Sequence, residues 1–149
     1  MAAIGTAGAG TCMCGINSGC SSFSKVGKTP AIPAGAYVVD EKKLSIDLSK
    51  VPQLVKIGGS VKIIDQQLKD RLIVARIGAE EYAVVSLLCT HRGCEVEYCL
   101  ENNEFRCASL GHSKFKVDGT KIKGFAKGPL KKYLATFDPE EKDRLVVAL

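Results

Sequence analysis

Two short stretches of this chain carry residue types that can bind a metal. Cys89-Thr90-His91-Arg92-Gly93-Cys94 sets a thiol and an imidazole one residue apart, and Cys107-Ala108-Ser109-Leu110-Gly111-His112 offers a second such pair. Cys89, His91, Cys107 and His112 together make a two-thiolate, two-imidazole donor set, which iron or zinc accepts. His91 and His112 are the only histidines in the 149 residues. Fifteen residues, Arg92 to Arg106, separate His91 from Cys107. That length suits an outgoing strand, a turn and a returning strand, which would bring the two loops side by side at the tip of a small sheet.

The elements around these loops read as short strands. Tyr82 to Leu88 is rich in β-branched residues and delivers Cys89 at its end; with Arg71 to Ile77 it forms a hairpin around Gly78-Ala79-Glu80-Glu81. Glu95 to Cys99 alternates apolar and polar, Asn102-Asn103 turns the chain, and Glu104-Phe105-Arg106 leads into Cys107. Further strands are expected at 36–39, 43–48, 60–65, 113–117, 121–122, 133–137 and 144–148. Asp118-Gly119 is a hairpin turn. The one weak helical signal is 64–71. Many short strands with frequent turns predict an all-β fold, a sandwich or barrel.

Composition is that of a folded soluble domain, with 46% hydrophobic and 25% charged residues. Tryptophan is absent, so the core must rest on Val, Ile, Leu and Ala. A net charge of +5 is mild, and no nucleic-acid motif accompanies it. Seven lysines against one acid, Asp118, lie between Lys114 and Lys132. Such a run is either a solvated hairpin face or a docking face for an acidic redox partner. Seven cysteines is an odd number, so disulfides alone cannot use them all.

Residues 1–24 contain no charge and include Cys12, Cys14 and Cys20. They are long enough to cross a bilayer but interrupted by many Gly and Ser. A membrane anchor or export remnant, a flexible tail, and a lipidated or metal-binding cysteine segment are the three readings. Residues 25–35, with Pro30, Pro33 and Gly35, read as a linker that would let the following domain swing.

The first loop resembles that of the Rieske family, Cys-Thr-His-x-Gly-Cys, almost residue for residue. Phe115, Asp118-Gly119, Gly124, Pro129-Leu130 and Tyr133 are similar to the pattern that trails the second loop in that family. The resemblance covers residues 36–149, and 80–135 carry its weight. It implies a small antiparallel sandwich with a cluster-binding subdomain at its tip, about residues 86–130. It also implies a [2Fe–2S] cluster with Cys89 and Cys107 on the inner iron and His91 and His112 on the outer one. Imidazole ligation raises the potential of such a cluster above that of an all-cysteine one. The implied role is electron transfer, with protons coupled through the histidines.

This sequence departs from the family pattern in four places. The second loop is usually Cys-x-x-His-Gly-Ser; here either Leu110 has taken the histidine position, or two residues are inserted and His112 is the ligand. Cysteine at the place of Ser109 would, in quinol-oxidising members, be bonded to Cys94; without it Cys94 is either a buried thiol or paired with Cys99. Phe115 stands where high-potential members have a tyrosine hydroxyl, which implies a low potential. Phe125 replaces the usual proline of the loop that shields the cluster.

The expected function is a Rieske-type electron-transfer protein or subunit. Its setting would be a quinol-oxidising, cytochrome bc-like or other respiratory complex, membrane-associated on the extracytoplasmic side, with a cytoplasmic ferredoxin as the other setting. Its partner would be a cytochrome or a quinol-oxidising membrane subunit, with no nucleic acid. No nucleophile–base pair or phosphate loop marks a self-contained enzyme. The competing readings are a Cys₂His₂ zinc module and a Rieske-like interaction domain without a cluster.

Overall fold

The computed structural model describes residues 26–109, 112–138, 140–141 and 143–149. Residues 1–24, read as an anchor, tail or cysteine segment, and Leu110, read as the alternative occupant of the histidine position, lie outside that range.

Twelve strands among the described residues form three four-stranded antiparallel sheets. The first is built from β1 (Tyr37–Val39), β2 (Lys43–Asp47), β12 (Arg144–Ala148) and β11 (Ala135–Asp138), in that order. The second runs β10 (Lys132–Tyr133), β5 (Tyr82–Ser86), β4 (Leu72–Arg76), β3 (Ser60–Ile63). The third runs β6 (Val96–Cys99), β7 (Glu104–Cys107), β8 (Lys114–Lys116), β9 (Lys121–Lys123).

The second sheet is shared by two cores, and the sequence of β4 shows why. Leu72-Ile73-Val74-Ala75 is an unbroken apolar run, the pattern of a strand covered on both faces. Because side chains alternate along a strand, Leu72 and Val74 join one core with Leu44, Ile46, Val61, Leu145 and Val147. Ile73 and Ala75 join the other with Val85, Val96, Phe105 and Phe115. The all-β expectation holds, as three stacked sheets.

Three local readings differ from the sequence expectation. Leu48–Lys50 and Pro52–Leu54 are 3₁₀ turns, the first begun by Asp47, whose carboxylate accepts from the Ser49 N–H. Residues 64–71 form turns with no helix, pinned by the Asp65 carboxylate accepting from Gln67 N–H and Tyr37 Oη. The single strand expected at 133–137 is two. Tyr133 pairs with Val84 in the second sheet, the chain breaks at Leu134, and Ala135 pairs with Val147 in the first.

The Pro/Gly segment is fastened over residues 27–32 rather than swinging there. Pro30 O accepts from Lys62 N at 2.8 Å and Ile32 N donates to Lys62 O at 2.9 Å, so Ala31 forms a parallel bridge on the edge of β3. Gly27 N donates to the Glu95 carboxylate at 2.8 Å, and Lys28 N donates to that of Glu97.

Candidate metal centre

Strand β5 leads through Leu87 and Leu88 into the first loop. Cys89 N donates to Cys94 O at 2.7 Å and Gly93 N donates back to Cys89 O at 3.1 Å, which closes a tight turn. Gly93 has φ +68°, a conformation glycine adopts without Cβ strain. Leu88 bridges to Glu95, and Val96 N donates to Leu87 O, so the chain returns directly alongside itself. Cys89 and Cys94 are buried, His91 is half-buried and Arg92 is exposed.

The second loop leaves β7 at Cys107, which is buried. Ala108 N donates to Glu95 O at 2.9 Å, which binds one loop to the other. Cys107 N donates to Ser113 O at 2.8 Å and closes the second loop on itself. Ser109 Oγ lies 3.1 Å from Cys107 Sγ, so the residue at the missing cysteine position stands against the other thiol. Its hydroxyl can donate to that sulfur when it is a thiolate.

A third segment, residues 124–130, covers both loops. Thr90 Oγ donates to Gly128 O at 2.9 Å and accepts from Gly128 N at 3.2 Å. Ala126 N donates to the fully buried Ser113 hydroxyl at 3.0 Å. Gly124 sits at φ +104°, and a Cβ there would fall 2.5 Å from Ser113 Cα. Only glycine lets these two backbones approach so closely. Phe125 is 75% exposed, with its ring centroid 6.4 Å from that of His91.

The ligand atoms of Cys89, His91 and Cys107 lie within 4.8 Å of one another, and Cys89 Sγ is 4.0 Å from His91 Nδ1. His112, the fourth sequence candidate, is described but falls outside that group. Its side chain is exposed, its φ is +39°, and its N–H donates to Ser109 O at 3.0 Å. Burial, the largest influence, pushes the Cys89 thiol up. The His91 main-chain N–H opposes this, the Cys107 sulfur reinforces it and the Ser113 hydroxyl opposes it. Two buried thiols this close favour a shared cation that takes their protons' place. The donor set, soft sulfur with imidazole nitrogen at the tips of tied loops, fits an iron–sulfur group.

Of the four residues read as donors, the structure brings Cys89, His91 and Cys107 together. Thr90 and Glu95, which tie the loops to distant partners such as Gly128 and Lys62, leave no local signal in the sequence. Phe115, fully buried, pairs with Phe105 between β8 and β7.

Fold and site together define a small antiparallel β protein with a sulfur- and imidazole-lined tip. No family model matches the chain. It is 32% identical, over 118 residues, to the cytochrome b6-f complex iron–sulfur subunit of Chlorobaculum thiosulfatiphilum, covering 78% of this chain and 59% of that one. The chain therefore spans about three-fifths of the curated relative it matches. Among solved structures, it is similar to the ferredoxin of carbazole 1,9a-dioxygenase from Nocardioides aromaticivorans IC177, with a TM-score of 0.53, 23% identity, and coverage of 64% of this chain and 88% of that one. A plasma-membrane Rieske protein of Synechocystis PCC 6803 also aligns, with a TM-score of 0.49, 25% identity, and coverage of 59% and 84%. On the sequence likeness and the first-loop motif, supported by the fold, the chain belongs to the Rieske iron–sulfur family. The cofactor of that family is a [2Fe–2S] cluster, and Cys89, His91 and Cys107 form its candidate ligand group here.

Proposed function

We propose that this chain is a one-electron carrier, the Rieske-type subunit of a membrane-associated quinol-oxidising or related respiratory complex. The observation that carries the reading is the convergence of Cys89, His91 and Cys107 at the tip of the third sheet. A bound [2Fe–2S] cluster would supply reversible one-electron transfer at a potential raised by imidazole ligation. Cys89 and Cys107 would hold one iron, and His91 with His112 the other. His112 is the one other histidine in the chain and lies in the loop that begins at Cys107, which supports it as the fourth donor.

The chain's own groups would shape the environment of that cluster. The segment 124–130, tied down through Thr90 and Ser113, limits access of water to the thiols. Ser109 offers one hydrogen bond to the Cys107 sulfur, while Phe115 offers none where a hydroxyl would raise the potential. The potential therefore falls in the lower part of the family's range, which suits a menaquinol-type donor better than ubiquinol. A cytochrome or a quinol-oxidising membrane subunit is the partner class. The relative's place in a cytochrome complex supports membrane association, and an extracytoplasmic setting is part of the same proposal. No helix among the described residues is long and apolar enough to cross a membrane.

Iron analysis and EPR on wild type and His112→Ala test the assignment. Wild type should be brown, with about two irons per chain and a reduced-state EPR signal. His112→Ala should lose the signal or shift its g-values. A colourless protein containing zinc would overturn the carrier reading, and an unchanged signal in His112→Ala would overturn the fourth ligand.

A further inference from the structure

The surface beside the metal centre carries a charge and shape that the ligand chemistry does not require. Strand β9, Lys121-Ile122-Lys123, is the free edge of the third sheet, and all three residues are exposed. It runs directly into Gly124, Phe125 and Lys127, the segment that covers the ligand loops. Lys121, Lys123 and Lys127 make no ion pair among the described residues. Two lysines of the same run are answered, Lys114 by Glu104 at 2.7 Å and Lys131 by Asp70 at 3.3 Å. Arg92, exposed on the first loop, adds a fourth unanswered cation next to His91.

Within this basic strip stand two large apolar side chains in water, Phe125 the more exposed. Phe125 is 75% exposed and Ile122 is 48% exposed. The Phe125 backbone is held by its neighbours, since Ala126 N and Gly128 are bonded to Ser113 and Thr90. An exposed aromatic on a held backbone, with Lys123 and Lys127 two residues to either side and its ring near His91, has the make-up of a recognition anchor with a charged rim. An exposed lysine edge also discourages pairing with another strand, which argues against a second copy of this chain as the occupant.

We propose that Phe125 and the rim of Lys121, Lys123, Lys127 and Arg92 form the docking surface for an acidic electron-transfer protein. The charge complementarity selects an acidic protein surface, with an apolar recess for the ring. The proposal rests on the electron-carrier reading for its purpose, but not for its binding chemistry. Opposed charge raises the encounter rate and makes it fall with salt. The ring supplies contact area that salt does not weaken.

The test uses the chain as purified with two small monohaem cytochromes of matched size, one acidic and one basic. Affinity is measured by calorimetry, and electron transfer by stopped flow, at low and at raised ionic strength. The acidic cytochrome should bind about tenfold or more tightly than the basic one at low salt, and this preference should shrink as salt rises. K121E/K123E/K127E should reverse the preference. Phe125→Ala should weaken binding of the acidic cytochrome several-fold with the salt slope unchanged. Equal affinity for both cytochromes, or a triple variant that binds as wild type does, overturns the docking surface. A chain that binds the acidic cytochrome selectively but carries no cluster signal sustains the surface and overturns the carrier reading alone.

Discussion

At the scale of single residues, the metal centre depends on close backbone approaches as much as on its donors. Gly124 is the clearest case, because it combines φ +104° with a Cβ position 2.5 Å from Ser113 Cα. Gly124→Ala would face both a strained backbone and a clash with main chain that cannot move aside. Forcing the residue to that φ alone costs about 1–2 kcal/mol. The clash must then be relieved by lifting 124–128 away, which breaks the Ala126–Ser113 bond. The expected result is a protein that melts at a lower temperature and loses its iron faster to a chelator. Chelation kinetics with bathophenanthroline, compared with wild type, check it; an unchanged rate would show that the cover does not guard the thiols. Cys89 and His91 lie in one short motif and Cys107 opens a second, so the residue types could be read from the chain, whereas the roles of Thr90 and Gly124 arise where distant segments meet.

At the scale of elements, most strands were readable because burial follows the period-two pattern. Lys43-Leu44-Ser45-Ile46-Asp47 puts Leu44 and Ile46 wholly in the core and turns the alternate residues outward. The misreadings occur where the partner decides. The 133–137 run looks continuous, yet Tyr133 and Ala135 find partners in different sheets. Polar ladders across strands were equally hidden. Glu104 on β7 is nearly buried, and its carboxylate meets Lys114 on β8 at 2.7 Å and Arg106 at 3.2 Å. Burial by itself would raise the pKa of Glu104, but the two cations outweigh it and leave it below the usual carboxylate range. The folded-state pKa is thus lower than the unfolded one. The contribution to stability is present above the unfolded carboxylate pKa and is lost as pH falls through the folded value. Glu104→Gln should therefore destabilise the protein by about 2 kcal/mol at neutral pH, with the gap from wild type closing in acid. Urea unfolding at neutral and at acidic pH measures this; a gap that widens in acid would contradict the assigned sign.

At the scale of the whole molecule, the layers are joined by contacts that run through one carboxylate. Glu95 follows the first loop, and its carbonyl holds the second loop through Ala108 N. Its side chain, 5% exposed, accepts from Lys62 Nζ of the middle sheet at 2.9 Å and from Gly27 N of the entering segment at 2.8 Å. Proline content made residues 25–35 read as a swinging tether, because no regular element can form there. Residues 27–32 of it are bonded to partners far along the chain, which a local pattern cannot reveal. A buried charge left without its partner is costly, so the loss of Glu95 acts on Lys62 as well as on Gly27. In E95Q/E97Q, both side-chain acceptors for Gly27 and Lys28 lose their charge, and the segment should open locally while β3 stays in place. Trypsin should then cut after Lys28 about tenfold faster than in wild type, since cleavage follows the population of the open form. The bridge between Ala31 and Lys62 should keep cleavage from spreading into the sheets. An unchanged rate would mean that this strand-edge bridge alone fixes the segment, and that the two glutamates serve only the packing of the third sheet against the second.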